Sequence, residues 1–439
     1  MNINKGNRVI ILILLSFLLL FFSYSNIEAQ EEEKLIIKDP NLEAELVVEE
    51  DLTWPTSMAF IDNNNILVLE KDEGTVRLVS NGSLEEEPVL EVDVNTKAER
   101  GLLGIAIMNK DAIFLYYTES PKEDDDDEDE DIEVKNKIYK YQWNDEERLL
   151  VNPTLILELP ATPGPDHVGG KMTIGPDNYL YAVIGDVKRE GKLQNIVDGP
   201  DPDDTGVIFR VNPENGSPAP DNPFINNNTD DSSSLSSLNK YYAYGIRNSF
   251  GITFDPITGT LWQTENGPTE YDEVNVVKPG FNSGWNKVMG PISKTGITAE
   301  DELVNFPNSK YADPVFSWFP SLGITDIEFL NSSKLGDKYT NNIFVGDIGD
   351  LTEGNLYYFE VNDDRTGIKF NDNSSSSNNQ ARVTDLLADN EEEVSTTALG
   401  TAFGGITDIE TGPDGFLYIL TLDRGSDGEG KIYRIKLSQ

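Results

Sequence analysis

Thr56-Ser-Met-Ala-Phe60, Asn65-Ile-Leu-Val-Leu-Glu70 and Gly74-Thr-Val-Arg-Leu-Val79 are three short runs of β-branched and aliphatic residues separated by Asn, Asp and Gly. Each reads as a strand bounded by turns. The grammar returns in Leu103-Gly-Ile-Ala-Ile107 with Ile113-Phe-Leu-Tyr-Tyr117 and Lys137-Ile-Tyr-Lys-Tyr141. It returns again in Met172-Thr-Ile-Gly-Pro-Asp177 with Tyr179-Leu-Tyr-Ala-Val183 and Gly206-Val-Ile-Phe-Arg-Val211. Further copies begin near Gly251-Ile-Thr-Phe-Asp-Pro256, Ile324-Thr-Asp-Ile-Glu-Phe329 and Ile406-Thr-Asp-Ile-Glu-Thr411, and the last closes with Gly430-Lys-Ile-Tyr-Arg-Ile435. A unit of three or four antiparallel strands cannot bury both faces alone, whereas six such units packed around an axis can. The pattern predicts an all-β fold, a six-bladed β-propeller of four-stranded antiparallel blades. Two β-sandwiches in series are the alternative. No stretch sustains a helical period, which argues against a TIM barrel or a doubly wound sheet.

The propeller is expected over residues 46–439. The acidic run 123–131 and the Asn/Ser tract 371–379 read as solvated loops inserted between strands. Before it, Lys5 and Arg8 precede an unbroken apolar run from Val9 to Phe22, followed by Ser23, Ser25 and Ala29. This is a secretory-signal pattern, and the run falls short of the roughly twenty residues that span a bilayer. Cleavage near Ala29 is expected, the alternative being an N-terminal anchor; either places the fold outside the cytoplasm, secreted or at the cell surface. Asn81, Asn215, Asn227, Asn331 and Asn373 head N-x-Ser/Thr sequons.

The 439 residues carry 78 acidic and 34 basic side chains, a formal net charge of −44, and no cysteine. So negative a field repels phosphate backbones and anionic membranes, so neither nucleic acid nor a membrane surface beyond that anchor is expected as a partner. The lack of cysteine excludes disulfides, thiolate metal sites, thiol catalysis and a cysteine-linked lipid.

His167 is the one histidine of the chain and lies in the Gly-rich loop Gly164-Pro-Asp-His-Val-Gly-Gly170. Asp186 ends the next strand, in Val183-Ile-Gly-Asp186, where it could orient the imidazole. A lone histidine is otherwise a structural or simply exposed one. Arg247-Asn248 sets a cation beside an amide at the entrance to a strand; its plain reading is an arginine paired with a carboxylate. Glu265-Asn-Gly-Pro-Thr-Glu-Tyr-Asp-Glu273 is a turn dense in carboxylates and carbonyls, the oxygen set that calcium takes, and an acidic turn without metal looks alike.

In Glu99-Arg-Gly-Leu-Leu-Gly-Ile-Ala106, Asp166-His-Val-Gly-Gly170, Gly175-Pro-Asp177, Gly245-Ile-Arg-Asn-Ser-Phe-Gly251, Glu265-Asn-Gly-Pro268, Asp272-Glu-Val-Asn275 and Gly412-Pro-Asp-Gly-Phe-Leu-Tyr418 the chain resembles the soluble PQQ-dependent glucose/sorbosone dehydrogenases, in order from about Leu46 onward. The resemblance implies a six-bladed propeller with PQQ and calcium (Ca2+) at one mouth, oxidising the anomeric carbon of an aldose by hydride transfer to the quinone. It implies His167 as general base, Asp186 as its partner, Arg247 as the cation facing the quinone oxygen and Asn248 as a cofactor contact. The carbonyls of Gly267 and Pro268 would bind the cofactor calcium, and Asp272 and Glu273 a second calcium.

The chain also departs from the pattern. Glu99 stands where the family typically has glutamine, which puts a negative charge beside an anionic cofactor. Gly405-Ile-Thr-Asp408 replaces an Arg-x-Arg-Asp stretch, and no lysine follows Val345-Gly-Asp347, where Ile348 stands. Losing three charged hydrogen bonds of about 1.5 to 3 kcal/mol each weakens binding about 10³- to 10⁶-fold. Lys171, Arg189 and Arg424 are candidate substitutes. An extracytoplasmic sugar dehydrogenase using PQQ or a related quinone is therefore favoured. A non-catalytic secreted or cell-surface calcium-binding propeller, holding a carbohydrate or protein ligand, is the alternative. A metal-dependent lactonase-type propeller is third, because the side-chain ligands it needs are not evident. The particular sugar, the electron acceptor and the oligomeric state are open.

Overall fold

The computed structural model describes residues 34–120, 134–225, 236–298, 302–349, 353–369, 386–423 and 428–438. The apolar run Val9–Phe22, the tracts 123–131 and 371–379, Asn227, Asn373 and Arg424 lie outside these residues.

The described strands form six sheets. Each begins with an inner strand: Pro55–Phe60, Leu102–Asn109, Met172–Ile174, Gly251–Phe254, Ile324–Phe329 and Gly405–Thr411. Each inner strand touches the next, and the sixth touches the first, so the inner strands form a closed ring. This is a β-propeller. Closure is made by the chain's two ends: Leu42–Thr53 pairs antiparallel with Glu429–Leu437 as the outer strand of the last sheet. Ile36–Ile37 likewise pairs with Ala398–Thr401 in the fifth. The compact unit therefore starts at Leu35 rather than at 46, because these early strands supply outer edges that later sequence alone would leave bare.

The uniform four-stranded antiparallel sheet holds for only part of the ring. Sheets run from four to six strands. The third gains two short parallel partners, Phe281–Asn282 and Lys310–Tyr311, and the fourth gains parallel Leu387–Ala388. These come from long loops that return to cover outer edges, a use of insertions that strand periodicity does not reveal.

Apolar packing lies between sheets. Phe114 and Tyr116 of the second sheet share a cluster with Leu180, Ala182 and Ile184 of the third. Trp262, Phe316 and Trp318 of the fourth share one with Ile343, Val345, Tyr357 and Phe359 of the fifth. Trp262 and Trp318 are fully buried, and truncating such a ring to alanine costs about 3–5 kcal/mol. A polar clasp recurs at the turns. In Gly175-Pro-Asp177, Asp177 accepts from Tyr179 N–H, Tyr181 O–H and Arg210. In Gly412-Pro-Asp414, Asp414 accepts from Phe416 N–H, Tyr418 O–H and Arg434. The aspartate ties the turn to the third strand of its sheet, which is why this motif repeats.

Neighbouring sheets are stapled near the axis by hydroxyls. Thr56 and Ser57 donate to the carbonyls of Leu102 and Leu103, Thr264 donates to Thr325 O, and Thr325 donates to Ile406 O. Each such bond contributes about 1 kcal/mol. Together they fix the inner strand ends, where the loops of one mouth begin.

Candidate active site

Between the second and third sheets the chain runs through Gly164–Gly170. Gly169 and Gly170 adopt φ of 64° and 117°, and a Cβ on Gly169 would sit 2.6 Å from Val183 O. That close approach needs glycine. It seats His167 against the end of Leu180–Ile184, where Asp186 follows. Nδ1 of His167 lies 2.7 Å from Oδ1 of Asp186, and both residues are buried. The Lys188 N–H donates to the same oxygen at 2.8 Å, and the Trp285 indole N–H donates to Oδ2 at 2.7 Å. A carboxylate so held fixes the ring with its proton on Nδ1 and the lone pair on Nε2. Nε2 has no protein partner among the described residues.

Glu99 is the second anchor. Its Oε2 accepts the backbone N–H of His167 at 2.7 Å and the Asn248 amide at 3.1 Å. Asn248 in turn accepts the Gly169 N–H at 3.1 Å. Its charge is thus met by neutral donors, and it organises the histidine loop. Asn248 is buried and spends its amide on this bracing.

Arg247 forms no ion pair with a carboxylate among the described residues. Its NH1 donates to Asn266 O at 2.9 Å, its guanidinium lies 5.5 Å from the Trp285 ring centre, and its buried Nε has no protein partner. Burial lowers its pKa, opposed by the charges of Asp186 and Glu99. Beneath it, buried Glu265 accepts Arg247 N–H, Ser283 O–H and the Gln263 amide. Burial raises the Glu265 carboxyl to about 7.

The calcium turn departs from expectation at its side chains. Asp272 accepts from Gly267 N–H and Ser321 O–H on one oxygen and from Leu322, Gly323 and Ile324 N–H on the other. Glu273 accepts from Asn275 and from Gly290 N–H; burial, then the nearby Glu265, raises its pKa. Both carboxylates are engaged by protein donors, Asp272 as a clasp between neighbouring sheets. Among the described residues no three of His, Asp and Glu converge as a metal cage. The candidate ligands left are the carbonyls of Gly267 and Pro268.

A cavity of about 510 Å³ opens beside these groups, lined by Glu99 and Asn266 as well as Trp54, Phe250, Lys171 and Lys71. Sequence reasoning missed its floor. Lys171 Nζ donates to Asp326 at 2.9 Å and to Asp408, with Glu410 at 4.0 Å. Asp326 and Asp408 come from the repeated pentapeptide Ile-Thr-Asp-Ile-Glu of two inner strands, Ile324–Phe329 and Gly405–Thr411. Burial works against the Lys171 charge, yet Asp326, Asp408 and Glu410 hold its pKa well above the usual lysine value. Burial drives Asp326 upward despite Lys171. The signal was present: acids at alternate positions of an otherwise apolar strand.

The residues fit a quinone at its carbonyl end through the charge of Arg247, whose NH1 is held by the carbonyl of Asn266, a residue that lines the cavity; the unpartnered Oδ1 of Asn266 is an acceptor suited to a hydroxyl donor. At the end where cations would meet carboxylates, the cavity presents Ile348 and Thr407. Its two lysines are already paired, Lys71 with Asp72 and Lys171 with Asp326 and Asp408. Arg189 bonds Asp203 and Thr162 O.

A histidine–aspartate pair and a guanidinium at one mouth of a propeller define a site for proton removal beside developing negative charge. The glucose / sorbosone dehydrogenase family model matches residues 52–434. The chain belongs to that family. It is 25% identical over 397 residues to an aldose sugar dehydrogenase of Escherichia coli, covering 89% of this chain and 91% of the relative. It is 29% identical over 276 residues to quinoprotein glucose dehydrogenase B of Acinetobacter calcoaceticus, covering 58% of this chain and 54% of that protein. The crystal structure of the soluble Escherichia coli aldose sugar dehydrogenase superposes with a TM-score of 0.67 at 21% identity, over 90% of this chain and all of that one.

Proposed function

We propose that this propeller, with one blade per sheet and six in all, is an extracytoplasmic dehydrogenase that oxidises the anomeric carbon of an aldose. The observation that carries the reading is the His167–Asp186 pair, with Nε2 unengaged among the described residues and Glu99, which accepts the His167 N–H, lining the neighbouring cavity. Nε2 takes the proton of the C1 hydroxyl as the C1–H bond breaks and the C1–O double bond forms. The carbonyls of Gly267 and Pro268 would hold calcium beside a bound quinone of the PQQ type, which would supply the two-electron hydride acceptor. Asp186 stabilises the imidazolium that forms. The Arg247 guanidinium, held by Asn266 O and against the Trp285 ring, sets a positive charge near negative charge developing in the cavity, in a buried setting where such stabilisation is worth about 10²- to 10³-fold in rate. Glu99 and Asn248 hold the histidine loop in place.

The test is reduction of an artificial acceptor dye by a panel of aldoses, with purified protein, PQQ and calcium. Sugar-dependent reduction supports the proposal. No reduction with any sugar at saturating cofactor would instead favour a binding propeller.

A further inference from the structure

The indole of Trp285 touches both working parts of the site at once. Nε1 donates to Asp186 Oδ2 at 2.7 Å, and the ring lies 5.5 Å from the Arg247 guanidinium. Trp285 belongs to a different loop from either partner, 99 residues from Asp186. Its own backbone is held on both sides: Trp285 N–H donates to Gly245 O at 2.9 Å, and Trp285 O accepts the Asn195 amide at 2.8 Å. Asn195 is locked to Asn282 by reciprocal amide bonds of 2.9 and 3.0 Å, and Asn282 also accepts the Gly284 N–H. Gly284 has φ of 102°, and a Cβ there would lie 2.8 Å from the Val288 side chain. The loop thus presents the indole at a set position.

From this we infer that Trp285 is a positioning residue for the reaction, which holds Asp186 in the orientation that fixes the His167 tautomer and supports Arg247 on the same ring. Asp186 Oδ1 serves His167 and Lys188 N–H, so Oδ2 is the oxygen left to swing. The indole N–H stops that rotation. Without it the carboxylate turns in its pocket, the bond to Nδ1 loosens, and the ring distributes its proton between both nitrogens. The Arg247 contact needs only a ring, so the two roles separate on replacement by phenylalanine.

The inference rests on the dehydrogenase reading for its catalytic consequence, and the test keeps the two apart. With a single histidine in the chain, nitrogen-15 spectra of histidine-labelled protein report His167 alone, with no turnover required. The wild type is expected to show one tautomer, Nδ1 protonated. Trp285→Phe is expected to show averaged nitrogens, to lose about 10-fold or more in kcat and to keep its sugar KM. An unchanged tautomer signature in Trp285→Phe overturns the inference, whatever the activity does. Absence of wild-type turnover counts against the dehydrogenase reading and leaves the spectroscopic result to decide the role of Trp285. Should Trp285→Phe fail to fold, the wild-type Trp285 indole N–H resonance serves: it is expected downfield and moved in Asp186→Asn. An indole signal indifferent to Asp186 overturns the inference.

Discussion

Asp186 faces Nδ1 of His167 at 2.7 Å, and the ring's other nitrogen has no protein partner among the described residues. Replacing the carboxylate by an amide keeps the shape and removes the charge that stabilises imidazolium. Asp186→Asn is expected to lower kcat by about 10²-fold or more while leaving sugar KM within a few-fold, since base catalysis contributes about 10² to 10⁴. Steady-state kinetics on one aldose checks this; an unchanged kcat contradicts it.

Arg247→Ala removes the guanidinium whose Nε has no protein partner. The expected loss in kcat is about 10²- to 10³-fold. Because Arg247 makes no carboxylate pair among the described residues, the folded state loses one carbonyl bond and the Trp285 ring contact, and the melting temperature should shift little. A large fall in melting temperature with kcat retained would mean that Arg247 is structural.

Asp326 links pH to stability. Its folded pKa is raised by burial, so the stability it contributes is fully present below the unfolded value near 3.8 and is lost as pH rises through the folded value. Asp326→Asn lacks this term. The difference in melting temperature between wild type and Asp326→Asn should move in favour of the variant as pH rises from about 4 to 8. Parallel curves would contradict the assignment.

Quinone binding is expected to need calcium, to be weak and to be little weakened by salt, because the cavity's lysines are already paired and leave few free cations to attract its carboxylates. Chelation should lower the melting temperature of the PQQ-loaded protein and leave that of the cofactor-free chain unchanged, Asp272 being engaged by its own donors. Thermal melts with and without chelator, and PQQ titrations at two ionic strengths, check both. Tight binding that falls steeply with salt would contradict the thin cationic cradle.

The inner strands were legible because short β-branched runs between turn residues report a strand directly. The readings at Thr56, Leu103, Met172, Gly251, Ile324 and Ile406 each fall on an inner strand of the ring. His167 with Asp186 was legible for a related reason, since a strand end and a glycine loop sit close in sequence. Trp285 was not, because its loop is returned to the third sheet by the parallel pairing of Phe281–Asn282 with Tyr241–Tyr244, which strand periodicity does not reveal. The setting of Asp272 was not legible: the acidic turn shows a carboxylate, whereas the backbone donors that engage it at Leu322, Gly323 and Ile324 come from another sheet's approach. Asp326 and Asp408 are legible as strand residues, and their meeting at Lys171 depends on three sheets converging on the axis.

The most direct test of the whole account is stopped-flow reduction of the PQQ- and calcium-loaded protein by an aldose, comparing wild type with His167→Ala. With no other histidine to take its place, the reductive rate is expected to fall by about 10² to 10⁴ at equal cofactor occupancy. Equal rates in the two proteins would contradict His167 as the base, and with it the central claim.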